Sequence, residues 1–228
     1  MDVKTLVVAI DGPSGSGKST VARRVAQILG LRYLDTGAMY RALTWWALEQ
    51  GVDLADQERV AELAAQLPLK MGTDPAAPTI HVDGTDVGAA IRETRISEAV
   101  SAVATNLRVR AEMKLRQRAV VDEGGVVVEG RDITTVIAPD APVRVLLIAS
   151  EDARLARRAR DVHGVDDDEA LARTRDQVVR RDADDSTVSQ FLQAAEGVTV
   201  IDSSHLSLED TVAAVLDVID SATGVGST

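Results

Sequence analysis

The stretch GPSGSGKST, residues 12–20, decides the fold of this chain. Its order of glycine, four residues, glycine, lysine and serine is that of a phosphate-binding loop, or P-loop. The apolar run LVVAI, residues 6–10, predicts a β-strand before the loop, and the spacing of Val21, Val25 and Ile28 predicts a helix after it. A P-loop lies between a strand and a helix, so this context predicts a nucleotide site.

The residue types of the loop fit the chemistry of a triphosphate. Glycine lets successive backbone N–H groups converge on a phosphate without interfering side chains, and the positive end of the following helix points at the same anion. Lys18 is predicted to reach the β- and γ-phosphates, and Ser19 to offer its hydroxyl to Mg²⁺, the expected cofactor. The predicted ATP-binding residues are Gly12, Pro13, Ser14, Gly15, Ser16, Gly17, Lys18, Ser19 and Thr20, with Ser19 as the metal ligand.

The composition limits the classes of partner. With 228 residues, 45% apolar content and a net charge of −11, the chain is long enough for one soluble α/β domain. The acidity argues against a nucleic-acid polymer or an anionic membrane as partner, because a global basic surface is missing. The absence of cysteine excludes disulfides and thiolate metal sites. Short apolar runs and the lack of a signal-peptide pattern predict a cytoplasmic protein.

Strand patterns alternate with helical patterns along the chain. This alternation predicts a parallel sheet with helices on both faces, and the P-loop after the first strand places the ligand at the carboxyl ends of the strands. Ser207 with Asp210 resembles a capping box and predicts a last helix over residues 208–219. The five predicted strands are residues 5–10, 31–34, 126–129, 143–148 and 198–201.

Two segments interrupt this alternation. Residues 68–90 are rich in proline and glycine, and Asp83-Gly84 between alternating residues predicts a hairpin in a small β-rich insertion. Residues 150–187 are dense in charge, which is typical either of two solvated helices or of a mobile lid that carries arginines. On helical spacing, four arginines of this segment share one broad face: Arg154, Arg157, Arg158 and Arg160.

The P-loop alone leaves several classes of protein open. A GTPase needs an Asn-Lys-x-Asp segment that reads guanine, but the single asparagine, Asn106, is followed by Leu107. A small P-loop protein with many scattered arginines suits phosphoryl transfer between two small anionic substrates, for which positioning and charge neutralisation are nearly all the catalysis needed. The sequence therefore favours a small-molecule kinase.

Further motifs lie where strands end in the predicted sheet. LDTGAMYR (34–41) follows the second strand, and EGRDITTVIAPDAPV (129–143) follows the third. Together with GPSGSGKST, IRETR (91–95), RVR (108–110) and RRDADDS (180–186), they resemble bacterial cytidylate kinases in order over nearly the whole chain.

The resemblance implies a P-loop nucleoside monophosphate kinase fold in one domain, residues 1–228. A monophosphate-binding part is expected at about 35–115, with the insertion at about 68–95 and the lid at about 150–187. The implied reaction moves the γ-phosphate of ATP to CMP or dCMP. We expect a monomer, because a lid needs free space.

Residue roles follow from the same resemblance. The catalytic set is Lys18, Arg131, Arg158 and Arg181. The CMP-binding set comprises Arg41, Arg131 and Arg181 on the phosphates, Ser101, Arg110 and Asp132 on cytosine, Asp185 on the ribose, and Thr36 near the acceptor.

The chain departs from the family pattern in two places. Val188 and Phe191 stand where the family often has an arginine and a Pro-Leu pair, so one phosphate or ribose contact is in question. Glu129 stands where an aspartate is common, and either carboxylate suits Mg²⁺ held through water.

Two alternatives to a CMP kinase remain open. One is a kinase for UMP, AMP or a non-nucleotide acid, and the other is a nucleotide-gated binding protein with slow hydrolysis.

Overall fold

The computed structural model describes residues 3–224, and within them the side chains of residues 161–163, 168, 173, 176 and 177 lie outside the description. The strands are β1 (Val7–Asp11), β2 (Arg32–Asp35), β3 (Leu69–Met71), β4 (Ile80–Val82), β5 (Thr85–Asp86), β6 (Val126–Gly130), β7 (Val143–Ile148) and β8 (Thr199–Asp202). Five of them form a parallel sheet in the order β2-β6-β1-β7-β8. The predicted parallel sheet is confirmed.

Helices cover both faces of this sheet. They are α1 (Lys18–Leu29), α2 (Thr36–Glu49), α3 (Gln57–Gln66), α4 (Thr94–Ala104), α5 (Leu107–Asp122), α6 (Glu151–His163), α7 (Asp168–Ser186) and α8 (Leu208–Thr223). Side chains alternate between the faces of a strand. Val8 and Ile10 of β1 therefore enter the core layer beneath α1 and α8, whereas Ala9 enters the layer beneath α2 and α5.

The insertion and the last helix agree with their sequence patterns. β3, β4 and β5 form a separate antiparallel sheet. Asp83 and Gly84 turn the hairpin with φ angles of 49° and 76°, which is the left-handed conformation that a two-residue hairpin loop requires. Helix α8 begins as predicted, because Ser207 Oγ accepts a hydrogen bond from Asp210 N at 3.1 Å, but it extends to Thr223 instead of residue 219.

The topology brings three loops to one edge of the sheet. β1, β2 and β6 are neighbours and run parallel, so the P-loop, the start of α2 and the segment after β6 all leave from their carboxyl ends. Helices α6 and α7 pack against each other, and α7 also packs on α4. Among the helices of residues 3–224, none is long and apolar enough to cross a membrane.

Candidate active site

The P-loop owes its shape to glycines with left-handed backbone. Gly15 and Gly17 have φ angles of 77° and 87°, which glycine adopts without a steric penalty. A Cβ atom on Gly15 would lie 2.5 Å from the carbonyl oxygen of Arg154, so helix α6 packs directly on the loop. Helix α1 begins at Lys18, immediately after the loop, and directs its N-terminus into the site.

Two charged groups lie beside the loop. Lys18 is half-buried, and its Nζ donates to Pro13 O at 3.2 Å. Burial lowers the pKa of this ammonium, and the nearby Glu129 carboxylate opposes the shift. Burial also raises the pKa of Glu129 to about 7, and the negative charge of Asp35 adds to that increase. Both groups thus lie in a desolvated pocket, where a bound cation or anion changes their pKa values strongly.

Ser19 and Glu129 together offer oxygen atoms that suit Mg²⁺. Ser19 Oγ donates to Glu129 Oε1 at 2.7 Å. Proteins usually hold Mg²⁺ through one or two carboxylates together with the phosphates of the substrate. The described part of the chain has no cluster of three or more histidine, aspartate or glutamate ligands. This donor set therefore fits a metal that arrives with a nucleotide.

A cavity of about 650 Å³ extends from the P-loop to helices α4 and α5. Its volume lies within the range of small-molecule sites. The predicted site residues that line it are Ser14, Gly15, Gly17, Lys18, Ser19, Thr20, Thr36, Arg41, Arg110, Arg131, Asp132, Arg158, Arg181 and Asp185. Gly12, Pro13, Ser16 and Ser101 do not line it. Helix α4 contributes Ser97, Val100 and Ala104 instead of Ser101, whose carbonyl accepts from the Thr105 side chain.

Arg41 reaches the cavity from helix α2. Its Nη2 donates to Asp35 Oδ2 at 2.9 Å, and Asp35 Oδ1 also accepts from Ala38 N at 2.7 Å as the N-cap of the helix. Burial alone would raise the pKa of Asp35, but Arg41 and the Ala38 amide hold it below its usual value. Thr36, the first residue of α2, donates to Glu129 O at 2.8 Å. The start of α2 is therefore fixed to the end of β6.

Arg110 and Asp132 form an ion pair at the far end of the cavity. Arg110 Nη2 donates to Asp132 Oδ2, and its Nη1 donates to Ala104 O at 3.2 Å. Burial raises the pKa of Asp132, against the effect of the Arg110 charge. Arg110 is a hydrogen-bond donor and Asp132 is an acceptor. Together they complement a base edge that carries an amine, which donates, and ring atoms, which accept.

Asp11 positions the segment that carries Arg131 and Asp132. Asp11, at the end of β1, accepts from Ile133 N and Thr134 N, both at 2.8 Å, and from Thr134 Oγ1 at 2.6 Å. These bonds hold the start of a π-helical turn, Ile133–Ile137. Burial raises the pKa of Asp11 to about 6. The residue directly before the P-loop thus also orients the opposite wall of the cavity.

Arg131 lies in a compact cluster with the end of helix α7. Its guanidinium donates to Asp185 and to Arg181 O, and its Cζ lies 4.6 Å from the ring centroid of Phe191. Phe191, at one of the positions that depart from the family pattern, is fully buried. It supplies a ring face that attracts the Arg131 cation. Val188 does not line the cavity, whereas Ser189 does.

The cluster contains a desolvated guanidinium and unsatisfied polar atoms. Burial, together with the charges of Arg131 and Arg41, lowers the pKa of Arg181 to about 9. Three buried atoms on the cavity wall have no hydrogen-bond partner within residues 3–224: Arg41 Nε, Arg181 Nε and Asp185 Oδ1. Buried polar atoms normally have partners, so these atoms indicate where an anionic, hydroxyl-bearing ligand binds.

The four arginines of α6, which helical spacing places on one broad face, do not all reach one site. Arg158 lines the cavity, and its Nη2 lies 3.4 Å from Ser97 Oγ as donor. Arg160 is exposed and pairs with Asp166 at 3.3 Å. Successive helical residues differ by about 100°, so neighbouring arginines reach different partners.

Arg154 and Arg157 join α6 to the P-loop. Arg154 Nη1 donates to Ser14 O at 3.0 Å, and Arg157 Nη1 donates to Ser16 O at 3.1 Å. Arg157 also donates to Ser203 Oγ at 2.9 Å. Both guanidinia thus bind carbonyl oxygens on the outside of the loop, a role that spacing alone did not predict.

A second cavity of about 650 Å³ lies on the other side of the P-loop. It is lined by Gly15, Gly17 and Thr20 of the loop region, by Arg157, and by residues 203–208 after β8. Sequence patterns did not predict this site. The signal was present, because β8 is a parallel strand whose carboxyl end lies at the same edge of the sheet as the P-loop.

Known proteins resemble this chain over nearly its whole length. The family model described as Cytidylate kinase matches residues 8–221. A cytidylate kinase from Cutibacterium acnes is 48% identical over 221 residues, covering 96% of this chain and 98% of that protein. One from Rhodococcus opacus is 46% identical over 230 residues, with 99% and 100% covered, and one from Streptomyces avermitilis is 43% identical over 221 residues, with 96% and 94% covered.

Proposed function

The chain belongs to the cytidylate kinase family, and we propose that it transfers the γ-phosphate of ATP to CMP or dCMP, giving ADP and CDP or dCDP. One observation carries the proposal. A single cavity has a triphosphate-binding loop at one end, an Arg–Asp pair suited to a base at the other, and arginines between them. The loop suits the phosphates of the donor, the arginines suit the phosphate of the acceptor, and the Arg–Asp pair suits the base of the acceptor.

The donor triphosphate binds in the P-loop. The backbone N–H groups of residues 14–20 and the N-terminus of α1 hold its β- and γ-phosphates, and Lys18 places its charge on the group that is transferred. Ser19 and Glu129 hold Mg²⁺ with the nucleotide. When bound, the ion neutralises charge on the phosphate oxygens. The second cavity, beyond the outer side of the loop, takes the ribose and base of the donor.

The acceptor phosphate binds between Arg41, Arg131 and Arg181. An oxygen of that phosphate attacks the γ-phosphorus of ATP, and the bond from the γ-phosphorus to the β–γ bridging oxygen breaks, so ADP leaves with that oxygen. The unsatisfied Nε atoms of Arg41 and Arg181 gain acceptors in this arrangement. Arg158, which lines the cavity from helix α6, meets the transferred group. Such transfer depends mainly on positioning and charge stabilisation.

Arg110 and Asp132 distinguish cytosine from uracil. Cytosine presents an exocyclic amine, a donor, next to two ring acceptors, and Asp132 accepts from the amine while Arg110 donates to the ring. Uracil has a carbonyl instead of the amine and a proton on the neighbouring nitrogen. It therefore places an acceptor against Asp132 and a donor against Arg110. Asp185, whose Oδ1 lacks a partner, accepts from a ribose hydroxyl. Residues 150–187 act as a lid within a monomer of one domain.

Steady-state kinetics with four acceptors test the proposal. We expect kcat/KM for CMP and dCMP to exceed the values for UMP and AMP by about 100-fold, since each correct base contact discriminates by roughly 1–3 kcal/mol. A preference for UMP, AMP or a non-nucleotide acid would indicate a different small-molecule kinase. ATP hydrolysis that is unaffected by every acceptor would indicate a nucleotide-gated binding protein instead.

A further inference from the structure

Asp182, on helix α7, joins the P-loop to Arg131, one of the arginines proposed to hold the acceptor phosphate. Its Oδ1 accepts from Ser14 N of the P-loop at 3.1 Å and from Arg131 Nη2 at 3.0 Å. Its Oδ2 accepts from Arg154 Nη1, which also donates to Ser14 O. One buried carboxylate thus contacts the loop, the segment after β6 and helix α6.

The side chain of Asp182 does not touch the substrate cavity. Asp182 and Arg154 lie behind its wall, whereas Ser14, Arg131 and Asp185 line it. Asp182 and Asp185 are three residues apart on α7, so they share a helix face, and Arg131 lies between them with a contact to each. Any displacement of the Ser14 amide is therefore transmitted through Asp182 to Arg131 and to the helix that carries Arg181.

We infer that Asp182 is a positioning residue that couples the binding of the donor to the binding of the acceptor. A triphosphate in the P-loop fixes the backbone at Ser14. The carboxylate then fixes Arg131 and the end of α7, so less conformational freedom remains to be lost when the acceptor phosphate binds. The coupling is reciprocal, because each ligand changes the affinity of the other by the same factor. This inference rests on the proposed function.

Calorimetric titration of CMP measures the coupling directly. The dissociation constant for CMP is determined in the absence of donor and in the presence of a saturating non-hydrolysable ATP analogue with Mg²⁺. We expect the analogue to strengthen CMP binding to the wild-type protein about fivefold or more. For Asp182→Asn we expect a ratio below about twofold, with the affinity for CMP alone changed by less than about threefold, because the groups that contact CMP remain.

Asp184→Asn is the matched control. It makes the same change of charge on the same helix, and the Asp184 side chain lies outside the cavity lining, so the wild-type ratio should remain. If Asp182→Asn does not fold, as judged by circular dichroism, Arg154→Gln takes its place. That change keeps the contacts of Asp182 Oδ1 with Ser14 N and Arg131 but removes the guanidinium that holds both Asp182 Oδ2 and Ser14 O. The bridge then loses its support, so the ratio should fall in this variant as well.

The outcomes separate the coupling from the function itself. If the wild-type protein does not bind CMP, the proposed function and the inference both fail. If CMP binds and the analogue does not change its affinity, or if Asp182→Asn and Arg154→Gln keep the wild-type ratio, the coupling role is rejected while the kinase assignment stands. An equal loss of coupling in Asp184→Asn would mean that the helix charge, not the bridge, is responsible.

Discussion

In the proposed mechanism, the P-loop and the acceptor wall bind the same kind of anion by different means. The P-loop, residues 12–20, uses neutral backbone amides and one lysine, and its shape depends on glycines within a few residues of one another. The acceptor wall, defined as Arg41, Arg110, Arg131 and Arg181, uses long cationic side chains from separate elements. Each of these side chains is held by a carboxylate.

This difference has an electrostatic cause. Amides carry no net charge, so the P-loop is stable when no phosphate is present. The acceptor wall places several guanidinium groups in a partly desolvated space, and buried charges need partners. Asp35, Asp132 and Asp185 provide those partners. Substitutions in the P-loop should therefore slow transfer to every acceptor, whereas substitutions in the wall should change affinity and selectivity for particular acceptors.

The largest expected effect is that of Lys18→Ala. Its ammonium stabilises charge on the transferred group, and the loss of one preorganised donor of this kind costs about 10²–10³ in rate. This stabilisation acts on the transferred group whatever the acceptor is, so we expect kcat to fall by about 10³-fold with CMP, dCMP and UMP alike. The lysine also contributes to ATP binding. Coupled-assay kinetics with each acceptor measure the fall in kcat.

Lys70→Ala is the control for this change, since Lys70 lies exposed on β3 of the insertion. It should leave kcat unchanged. A folded Lys18→Ala protein with near-normal kcat would remove the P-loop from the mechanism, and a loss confined to one acceptor would erase the distinction between the P-loop and the wall.

Arg158→Ala should have the next largest effect. Arg158 lines the cavity from helix α6, so we expect it to act when both substrates are bound and the site excludes water. We predict a fall in kcat of about 10²-fold, with KM for CMP within about threefold. Arg175→Ala removes an exposed arginine of helix α7, which packs on α6, as a control. A kcat within a few-fold of wild type would assign Arg158 a surface role.

Sequence patterns predicted the P-loop and the sheet because the determining interactions are local. The five strands appear within a residue or two of their predicted positions, and the hairpin turn at Asp83 appears where expected. The roles within the acceptor wall came from the family resemblance, since no local rule pairs Arg110 with Asp132, 22 residues away.

The arginines of α6 and the contacts of Asp182 were beyond prediction for a physical reason. Asp182 bonds to Ser14 across 168 residues of sequence. Whether it faces the P-loop depends on how α7 docks against α4 and α6, and helical spacing does not determine that docking. Spacing also placed Arg154, Arg157 and Arg158 on one face, but it did not show that the first two bind the P-loop while Arg158 lies near Ser97 of α4.

Asp132→Ala should change selectivity within the acceptor wall. Without its carboxylate the amine of cytosine loses its acceptor, and uracil loses an unfavourable contact. We expect the ratio of kcat/KM for CMP to that for UMP to narrow by about 10- to 100-fold, mainly through the CMP value, with KM for ATP nearly constant. Asp140→Ala, at an exposed position of the loop before β7, should leave the ratio unchanged. A ratio that survives Asp132→Ala would mean that other residues read the base.

The smallest expected effect is that of Phe191→Leu, which tests how the wall is supported beneath its arginines. Leucine keeps the apolar volume in part but removes the ring face under Arg131. A partly buried cation–π contact contributes about 1 kcal/mol, so we expect KM for CMP to rise by about fivefold while KM for ATP stays within twofold. Leu192→Ala, at the exposed neighbouring position, controls for the loss of apolar surface. If KM for CMP and KM for ATP rise together in Phe191→Leu, the substitution has loosened helix α7 against the P-loop, and the two regions are not as separable as their chemistry indicates.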